Sequence, residues 1–172
     1  EGEHRPNTHT RSHAPTLPLA PPYLLTAEVQ SRCRDEVSGE AFYQGLQMGN
    51  SFRGIEKIWR RDGEALGKIR LPESLVPEAD AYQVHPALLE TCFHALAAAL
   101  PEIPEADIYL PMGLQSFRIY GHPGGQVWSH AQLQSREALH FEGDVCLFDE
   151  SGHLVLEAQG LRFQRLDREV LL

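Results

Sequence analysis

The sequence predicts an α+β domain in which one long apolar helix lies against an antiparallel sheet. The first observation is a helical stripe of apolar residues within His85–Leu100, a segment bracketed by prolines. The second is a series of strand-like runs that follow this segment. The third is a pair of hairpin turn signals, at Arg61–Gly63 and at Asp149–Gly152. Together these observations favour a single buried helix with a meandering sheet around it.

The first 25 residues differ in composition from the rest of the chain. Five prolines interrupt any regular element there, and few residues are apolar. Three histidines of this segment (His4, His9 and His13) suggest a metal-binding tract, but the composition offers no fixed ligand geometry. We therefore interpret residues 1–25 as a linker or tail. The sequence does not open on methionine, so we expect it to be a piece of a longer polypeptide.

Two short helices and a strand pair are predicted next. Thr26 is a suitable N-cap for the first helix, and the second covers Glu40–Leu46 and ends at Gly49. The hairpin signal then joins two strand-like runs, Phe52–Arg60 and Glu64–Leu71. The order of these elements places a strand pair ahead of the long helix.

The long helix is the clearest element of the sequence. Pro86 suits the first helical position, and Pro101 stops the run. The predicted apolar stripe comprises Leu89, Phe93, Leu96, Ala97 and Leu100. The remaining surface is rich in alanine, which lets the helix lie close to a sheet. The strands predicted after it are Leu114–Tyr120, Gln126–Gln134, His140–Phe148 and Leu154–Leu166.

Composition and missing motifs exclude several classes of function. The 172 residues carry a formal charge of −9, which disfavours nucleic-acid binding. The longest apolar stretch is too short to cross a membrane, and no secretory signal opens the chain. Three widely spaced cysteines form no CxxC motif, which is typical of a cytoplasmic protein. The glycine-rich nucleotide motifs, the serine nucleophile elbow and the zinc motif HExxH are absent.

One constellation on the long helix can carry chemistry. Glu90 and His94 are four residues apart and therefore share one helix face. A carboxyl group beside an imidazole can transfer protons if both face a cleft. An ordinary surface pair is the commoner explanation of such spacing. A metal site is disfavoured, because only two ligands at suitable spacing are present.

The residues around this pair resemble the dehydratase domains of modular polyketide synthases. The segment His85–His94 resembles the family motif HPALLDxxxQ/H, and Gly45–Ile55 resembles the family segment GLxYGPxFRGI. Arg32-Cys33, Phe42-Tyr43, Ile58–Arg60, Leu71-Pro72, Leu110-Pro111 and Arg162-Phe163 also occur in the family's order. The resemblance covers about Thr26 to Leu166.

The resemblance implies a hotdog fold, a long central helix wrapped by a curved antiparallel sheet. Dehydratases of this family are double hotdogs, and the chain resembles their second, C-terminal half over residues 26–172. The Pro-rich opening then resembles the linker between the halves. The reaction implied is removal of water from a β-hydroxyacyl thioester, carried on the phosphopantetheine arm of an acyl carrier protein. No other cofactor is implied, and homodimerisation is expected by fold analogy.

The resemblance also assigns roles to residues. Glu90 falls on the family's acidic position, where the family has aspartate, and His94 falls on the position that orients the acid or holds the hydroxyl. The substrate tunnel is implied to involve His85 together with three residues of the GLxYGPxFRGI segment: Met48, Asn50 and Phe52. The family's catalytic base is a histidine in an HxxxGxxxxP motif of the first hotdog, and this motif is absent here. We therefore expect the chain by itself to be inactive.

Two departures from the family pattern leave alternatives open. Glu90 is one methylene longer than aspartate, and Met48 and Asn50 replace tyrosine and proline. A misplacement of about 1 Å can reduce a rate about a hundredfold. The second hypothesis is therefore a double-bond isomerase, or a catalytically silent domain kept as scaffold. The third, which sets the resemblance aside, is a module that binds apolar ligands.

Overall fold

The computed structural model describes residues 23–45, 54–75, 77, 83–101 and 108–166. The helices of these ranges are α1 (Thr26–Arg32), α2 (Gly39–Gly45), α3 (Pro86–Ala98) and a 3₁₀ turn (Glu73–Leu75). The strands are β1 (Asp35–Ser38), β2 (Ile55–Arg61), β3 (Glu64–Arg70), β4 (Ile108–Gly113), β5 (Ser116–Ile119), β6 (Gln126–Arg136), β7 (His140–Phe148) and β8 (Leu154–Leu166). None of these helices combines the length and the apolar character that crossing a membrane requires.

The eight strands form one antiparallel sheet in the order β1-β2-β3-β6-β7-β8-β4, and β5 also pairs with β8. β4 and β5 therefore follow one another along the outer edge of β8. Both predicted hairpins are confirmed. Gly63 adopts φ 90° at the β2–β3 turn, where a left-handed conformation favours glycine. At the β7–β8 turn, the Asp149 carboxylate accepts the N–H groups of Ser151 and His153, each at 2.9 Å.

The alternation of side chains on β3 shows how the two faces of the sheet differ. Ala65 and Ile69 belong to the main core, which also contains the buried residues of α3. Leu66 points to the other face, where it packs with Val29 and Cys33 around α1. The sheet therefore covers α3 with one face and is itself covered by α1 on the opposite face.

Helix α3 packs directly onto β2, β3, β6 and β7. Two glycines of the sheet lie beneath it, and Gly143 makes room for it. A Cβ atom at Gly67 would stand 3.6 Å from Ala95 Cβ, and one at Gly143 would stand 2.5 Å from Leu96 Cδ1. The expectation that a slim, alanine-rich helix lies close to a sheet is confirmed.

The buried stripe of α3 differs from the predicted one. Leu88, Cys92 and Ala95 are fully buried, whereas Leu89 and Phe93 are only partly buried at the margin of the core. The helix is apolar on most of its circumference, so the pattern of apolar residues alone gave no unique inward direction. The other three residues of the predicted stripe, Leu96, Ala97 and Leu100, are buried as expected, so small and large side chains share the buried face.

Other departures concern element boundaries. Helix α1 begins at Thr26 itself, and its N-cap is Leu25, which makes no side-chain capping bond. The prediction of Thr26 as the N-cap is therefore wrong by one residue, as is common at frayed helix ends. β1 and β4 were not predicted. The proposed end of the second helix beyond residue 45, the start of the first predicted strand and the linker before residue 23 lie outside the described residues.

Candidate functional site

The first turn of α3 sets the position of the candidate site. His85 precedes the helix in an extended conformation, and its Nδ1 accepts the N–H of Ala87 at 3.1 Å. Pro86 occupies the first helical position, where its missing N–H costs nothing. His85 is buried. The structure therefore gives His85 a capping role through Nδ1, and its contact with substrate stays a prediction.

Glu90 and His94 meet on the second and third turns of α3, as their spacing predicted. His94 Nε2 lies 3.9 Å from Glu90 Oε1, which is within ion-pair range and beyond hydrogen-bond length. The two side chains differ in environment, because that of Glu90 is 56% exposed and that of His94 only 11%. The pair thus consists of an outer carboxyl group and an inner imidazole.

The inner imidazole is held in a dry environment. Burial lowers the pKa of His94 to about 4, so its ring is neutral at physiological pH. Its Nδ1 atom is buried and has no hydrogen-bond partner among the described residues. Its Nε2 is the ring atom that faces Glu90. A neutral ring can donate from Nε2 or accept there, according to its tautomer, so it can hold a carboxyl group in either protonation state.

Neighbouring polar groups of α3 serve the helix itself. Thr91 Oγ1 donates to the carbonyl of Ala87 at 2.9 Å. Cys92 is fully buried, and burial raises the pKa of its thiol well above the ordinary value. A thiol of this kind is not a nucleophile at neutral pH, so Cys92 behaves as a small apolar residue.

The other predicted substrate contacts cannot be placed. Met48, Asn50 and Phe52 lie outside the described residues. Of the predicted site residues, the structure thus brings together Glu90 and His94 and puts His85 at the start of the same helix. Within the described ranges, no group of three or more His, Cys, Asp or Glu side chains is arranged to hold a metal ion.

A second charged cluster lies on the opposite face of the sheet. The buried carboxylate of Glu64 accepts two bonds from Arg32, at 2.7 and 2.6 Å, and one from Arg61 at 3.0 Å. His130 Nε2 lies 2.6 Å from it, and the thiol of Cys33 lies 3.4 Å from it. Desolvation alone would raise the pKa of Glu64, but the bonds from Arg32 and His130 reverse this and lower it to about 2.

This Glu64 cluster was missed by the sequence reading. Its members come from α1 and the residue after it, the β2–β3 hairpin and β6. The most distant partner of Glu64, His130, lies 66 residues from it in the sequence. No local spacing marks such a cluster, because it exists only when the sheet has closed. Its geometry indicates a structural role, since Arg32 ties α1 to β3 through a two-point bond to a buried carboxylate.

An exposed apolar surface runs along β4, β5 and the residues that flank them. We call it the apolar edge, and its members are Leu110, Met112, Leu114, Phe117, Ile119 and Tyr120, each at least 37% exposed. It borders an open groove of about 540 Å³, whose polar lining includes His140, Glu142 and Arg162. An exposed apolar surface of this kind is typical of a protein interface.

Comparison with known proteins connects the chain and its fold to one family. The family model described as "Polyketide synthase dehydratase N-terminal domain" matches residues 22–172. Among curated proteins, polyketide synthase PksM of Bacillus subtilis (strain 168) is 27% identical over 162 residues, which are 85% of this chain and 4% of that protein. A mycocerosic acid synthase-like polyketide synthase of Mycobacterium tuberculosis is 28% identical over 164 residues, 90% of this chain and 8% of that one.

Solved structures show the same likeness. The dehydratase domain from the CurK module of the curacin polyketide synthase superposes with a TM-score of 0.75 and 31% identity, over 87% of this chain and 55% of that chain. The chain therefore spans about half the length of that domain. Two variants of the CurK dehydratase are described as inactive, one with a histidine changed to phenylalanine and one with an aspartate changed to asparagine. The hotdog fold predicted for this chain is confirmed by these superpositions.

Proposed function

This chain belongs to the polyketide synthase dehydratase family, and on that basis we propose that it forms part of a domain that dehydrates a β-hydroxyacyl thioester. The substrate class is an acyl chain on the phosphopantetheine arm of an acyl carrier protein. The observation that carries the proposal is the pairing of Glu90 with a buried, neutral His94 on the central helix.

The reaction requires an acid and a base at opposite ends of one elimination. A base takes the proton from the α carbon, and the electron pair forms the α,β double bond. The bond from the β carbon to the hydroxyl breaks, and an acid protonates the hydroxyl so that it leaves as water. We assign the acid to Glu90. His94, whose Nε2 faces Glu90 at 3.9 Å, orients that carboxyl group or the departing hydroxyl.

His94 is a poor candidate for the proton donor itself. With a pKa of about 4 its ring carries no extra proton at neutral pH. Its contribution is a fixed neutral dipole beside the acid. The loss of activity in the CurK dehydratase when an aspartate becomes asparagine supports a carboxyl group as an essential part of that enzyme.

Glu90 needs a cover before it can act as an acid near neutral pH. Its side chain is 56% exposed to solvent. Desolvation is the effect that would keep it protonated. We propose that the other hotdog of a double hotdog supplies both this cover and the catalytic base, and that the apolar edge is the surface it meets.

We propose that this chain is the second, C-terminal half of the double hotdog. The order of its motifs and the absence of the HxxxGxxxxP base motif support this assignment. The family model that matches is described as an N-terminal domain, so the assignment depends on the motifs. The proposal includes an acyl carrier protein as partner, a homodimer formed through the synthase, and a cytoplasmic location, with no bound cofactor and no nucleic-acid or membrane partner.

The second candidate function is double-bond isomerisation, or a silent domain. It is favoured by Glu90, which stands where the family has aspartate, and by Met48 and Asn50 in the GLxYGPxFRGI segment. An isomerase needs one group that moves a proton and does not need an acid for a leaving hydroxyl. The two functions therefore differ in whether water leaves the substrate.

The deciding experiment measures water loss by mass spectrometry of a carrier-bound β-hydroxyacyl thioester. The protein is the synthase polypeptide that contains this chain, with the adjoining dehydratase half included. We expect the mass to fall by one water molecule, and we expect Glu90→Gln to reduce the rate at least about a hundredfold. The matched control is Glu28→Gln, an exposed glutamate of α1, which should leave the rate unchanged.

Four outcomes would each contradict a part of the proposal. A folded polypeptide that shifts a double bond but releases no water is an isomerase, and one that does neither is a silent domain. Dehydration by the 172-residue chain without its other half would contradict the assignment of the base to a missing hotdog. Full activity of Glu90→Gln would show that the acid is another group.

A further inference from the structure

Helix α3 rests on the sheet mainly through small apolar contacts. Ala95 and Ala98 are fully buried, and Gly67 of β3 lies beneath Ala95. Apolar contacts of this kind are not directional. The exact height and rotation of the helix, and with them the position of Glu90 and His94, therefore depend on polar contacts between α3 and the sheet.

One such contact lies in the middle of the helix. Ser129 of β6 is fully buried, and its Oγ donates to the carbonyl of Cys92 at 2.9 Å. Cys92 stands midway between Glu90 and His94, so this bond ties the turn that carries the pair to the sheet. A buried hydroxyl without a partner is costly, so the serine constrains the helix to a position in which its bond is made.

A second contact holds the end of the helix. Arg60 of β2 donates from Nε to the carbonyl of Ala98 and from Nη2 to that of Leu100, each at 2.8 Å. Its Nη1 binds Asp35 at 2.9 Å. The side chain of Arg60 is only 13% exposed. A guanidinium in this place satisfies terminal carbonyls and favours the negative end of the helix dipole.

We propose that Ser129 and Arg60 are positioning residues, which fix the height and rotation of α3 and thereby place Glu90 and His94 for reaction. The inference rests on the proposed function for its catalytic consequence. Neither residue touches the pair, so both act through the helix backbone. A displacement of about 1 Å at the reacting atoms reduces a rate about a hundredfold, so a partial release of the helix has a measurable effect.

The kinetic test uses Ser129→Ala and Arg60→Gln in the synthase polypeptide with both dehydratase halves. We expect kcat for dehydration to fall about tenfold or more while KM changes less than about twofold, because the substrate contacts remain. Arg60→Lys should restore part of kcat, since an ammonium group can bind one carbonyl in place of two. The matched controls, Ser135→Ala on β6 and Arg70→Gln on β3, change exposed side chains and should retain full activity.

A second measurement does not depend on catalysis. The imidazole of His94 is titrated by NMR in the same polypeptide, with the resonance assigned by His94→Gln. We expect its pKa to move upward toward the ordinary value in Ser129→Ala and Arg60→Gln, because a loosened helix admits water to the ring. The two controls should leave it unchanged.

The two readouts separate failure of this inference from failure of the proposed function. If both variants keep the wild-type kcat and the wild-type His94 titration, Ser129 and Arg60 do not position the pair, and the inference is wrong. If the wild-type protein releases no water, the proposed function fails, and the His94 titration alone then decides whether the two residues hold the helix. A fall in thermal stability with unchanged kcat at low temperature would also overturn the positioning role.

Discussion

At the scale of single residues, the carboxyl group and the imidazole of the pair have opposite environments. His94 is buried and neutral, whereas Glu90 extends to the surface. The longer side chain of glutamate carries its carboxyl group farther from the helix than the family's aspartate would. The central chemical question about this domain is therefore whether the reach of Glu90 suits its substrate.

Shortening this residue tests its reach directly. We expect Glu90→Asp to raise the dehydration rate several-fold, because aspartate would return the carboxyl group to the position that the family motif uses. The measurement is single-turnover water loss from the carrier-bound substrate. A fall in rate would instead mean that the tunnel of this domain is built around the longer side chain.

The buried imidazole predicts a pH dependence of stability. The pKa of His94 is about 4 in the folded chain and about 6.5 when unfolded, so the folded state disfavours the proton. The contribution of the neutral His94 ring to the free energy of unfolding is complete above about pH 6.5 and is lost as the pH falls toward 4. When the pH falls from 7 to 5, the free energy of unfolding decreases in both proteins. We expect this decrease to be about 2 kcal/mol smaller in His94→Gln than in the wild type.

This prediction is checked by urea unfolding of the two proteins at both pH values. The control is the same pair of proteins compared at pH 7 and pH 8, where the His94 ring is neutral in the folded and the unfolded state, so both should change equally. Equal losses in wild type and His94→Gln would mean that the ring is not shielded from water.

The sequence predicted the pair but not the residues that support it. Glu90 and His94 are visible because helical spacing is local and the family motif is short. Ser129 and Arg60 bind backbone carbonyls of a helix that is more than 30 residues away in sequence. A lone serine or arginine within a strand carries no pattern, so only the closed sheet reveals their partners.

At the scale of elements, the predictions succeeded where periodicity was strong. The bounds of β7 and β8 agree with the predicted ones, and both hairpin turns were found. β1 was missed because its sequence, Asp-Glu-Val-Ser, has one apolar residue and no alternation. β4 was missed because it contains Pro111, which is tolerated there as the strand lies at the sheet edge.

The contact between α3 and β7 predicts the effect of one added methyl group. A Cβ at Gly143 would lie 2.5 Å from both Leu96 Cδ1 and the carbonyl oxygen of Gln132. Because the second neighbour is backbone, repacking of Leu96 cannot relieve the clash. We expect Gly143→Ala to lower the free energy of unfolding by about 2 to 3 kcal/mol.

Gly113 offers the matched control for this change. A Cβ there would meet nothing within 4 Å, so Gly113→Ala should change stability by less than about 0.5 kcal/mol. Denaturant unfolding of both variants measures the difference. A neutral Gly143→Ala would mean that the helix does not rest on β7 at this point.

At the scale of the whole molecule, the apolar edge is an apolar surface that the described residues leave exposed to solvent. The chain spans about 55% of the solved CurK dehydratase domain. The apolar edge lies on β4 and β5, which both pair with the outer side of β8. Unpaired apolar edges favour association with another chain. The exposure of this surface is thus consistent with the proposal that a second hotdog covers it.

Polar substitutions on this edge should weaken its association. We expect Met112→Ser with Phe117→Ser to reduce binding of the chain to the other dehydratase half at least about tenfold. The two halves are expressed separately, and one is titrated with the other. Sedimentation velocity measures how much complex forms. Leu25→Ser is the control, since it replaces an apolar residue that is 60% exposed just before α1. Unaltered binding by the double variant would place the partner elsewhere.

The pairing of β3 with β6 has a consequence for how the polypeptide folds during synthesis. Arg70 at the end of β3 pairs with Gln126 at the start of β6, so the segment between them, including α3, must be made before this junction can form. The β2–β3 hairpin and the β6–β7–β8 meander are local and can form early, whereas their junction is late and slow. Until the ribosome has passed β6, the nascent chain exposes one side of the helix that carries Glu90 and His94, and a chaperone is what can shield it.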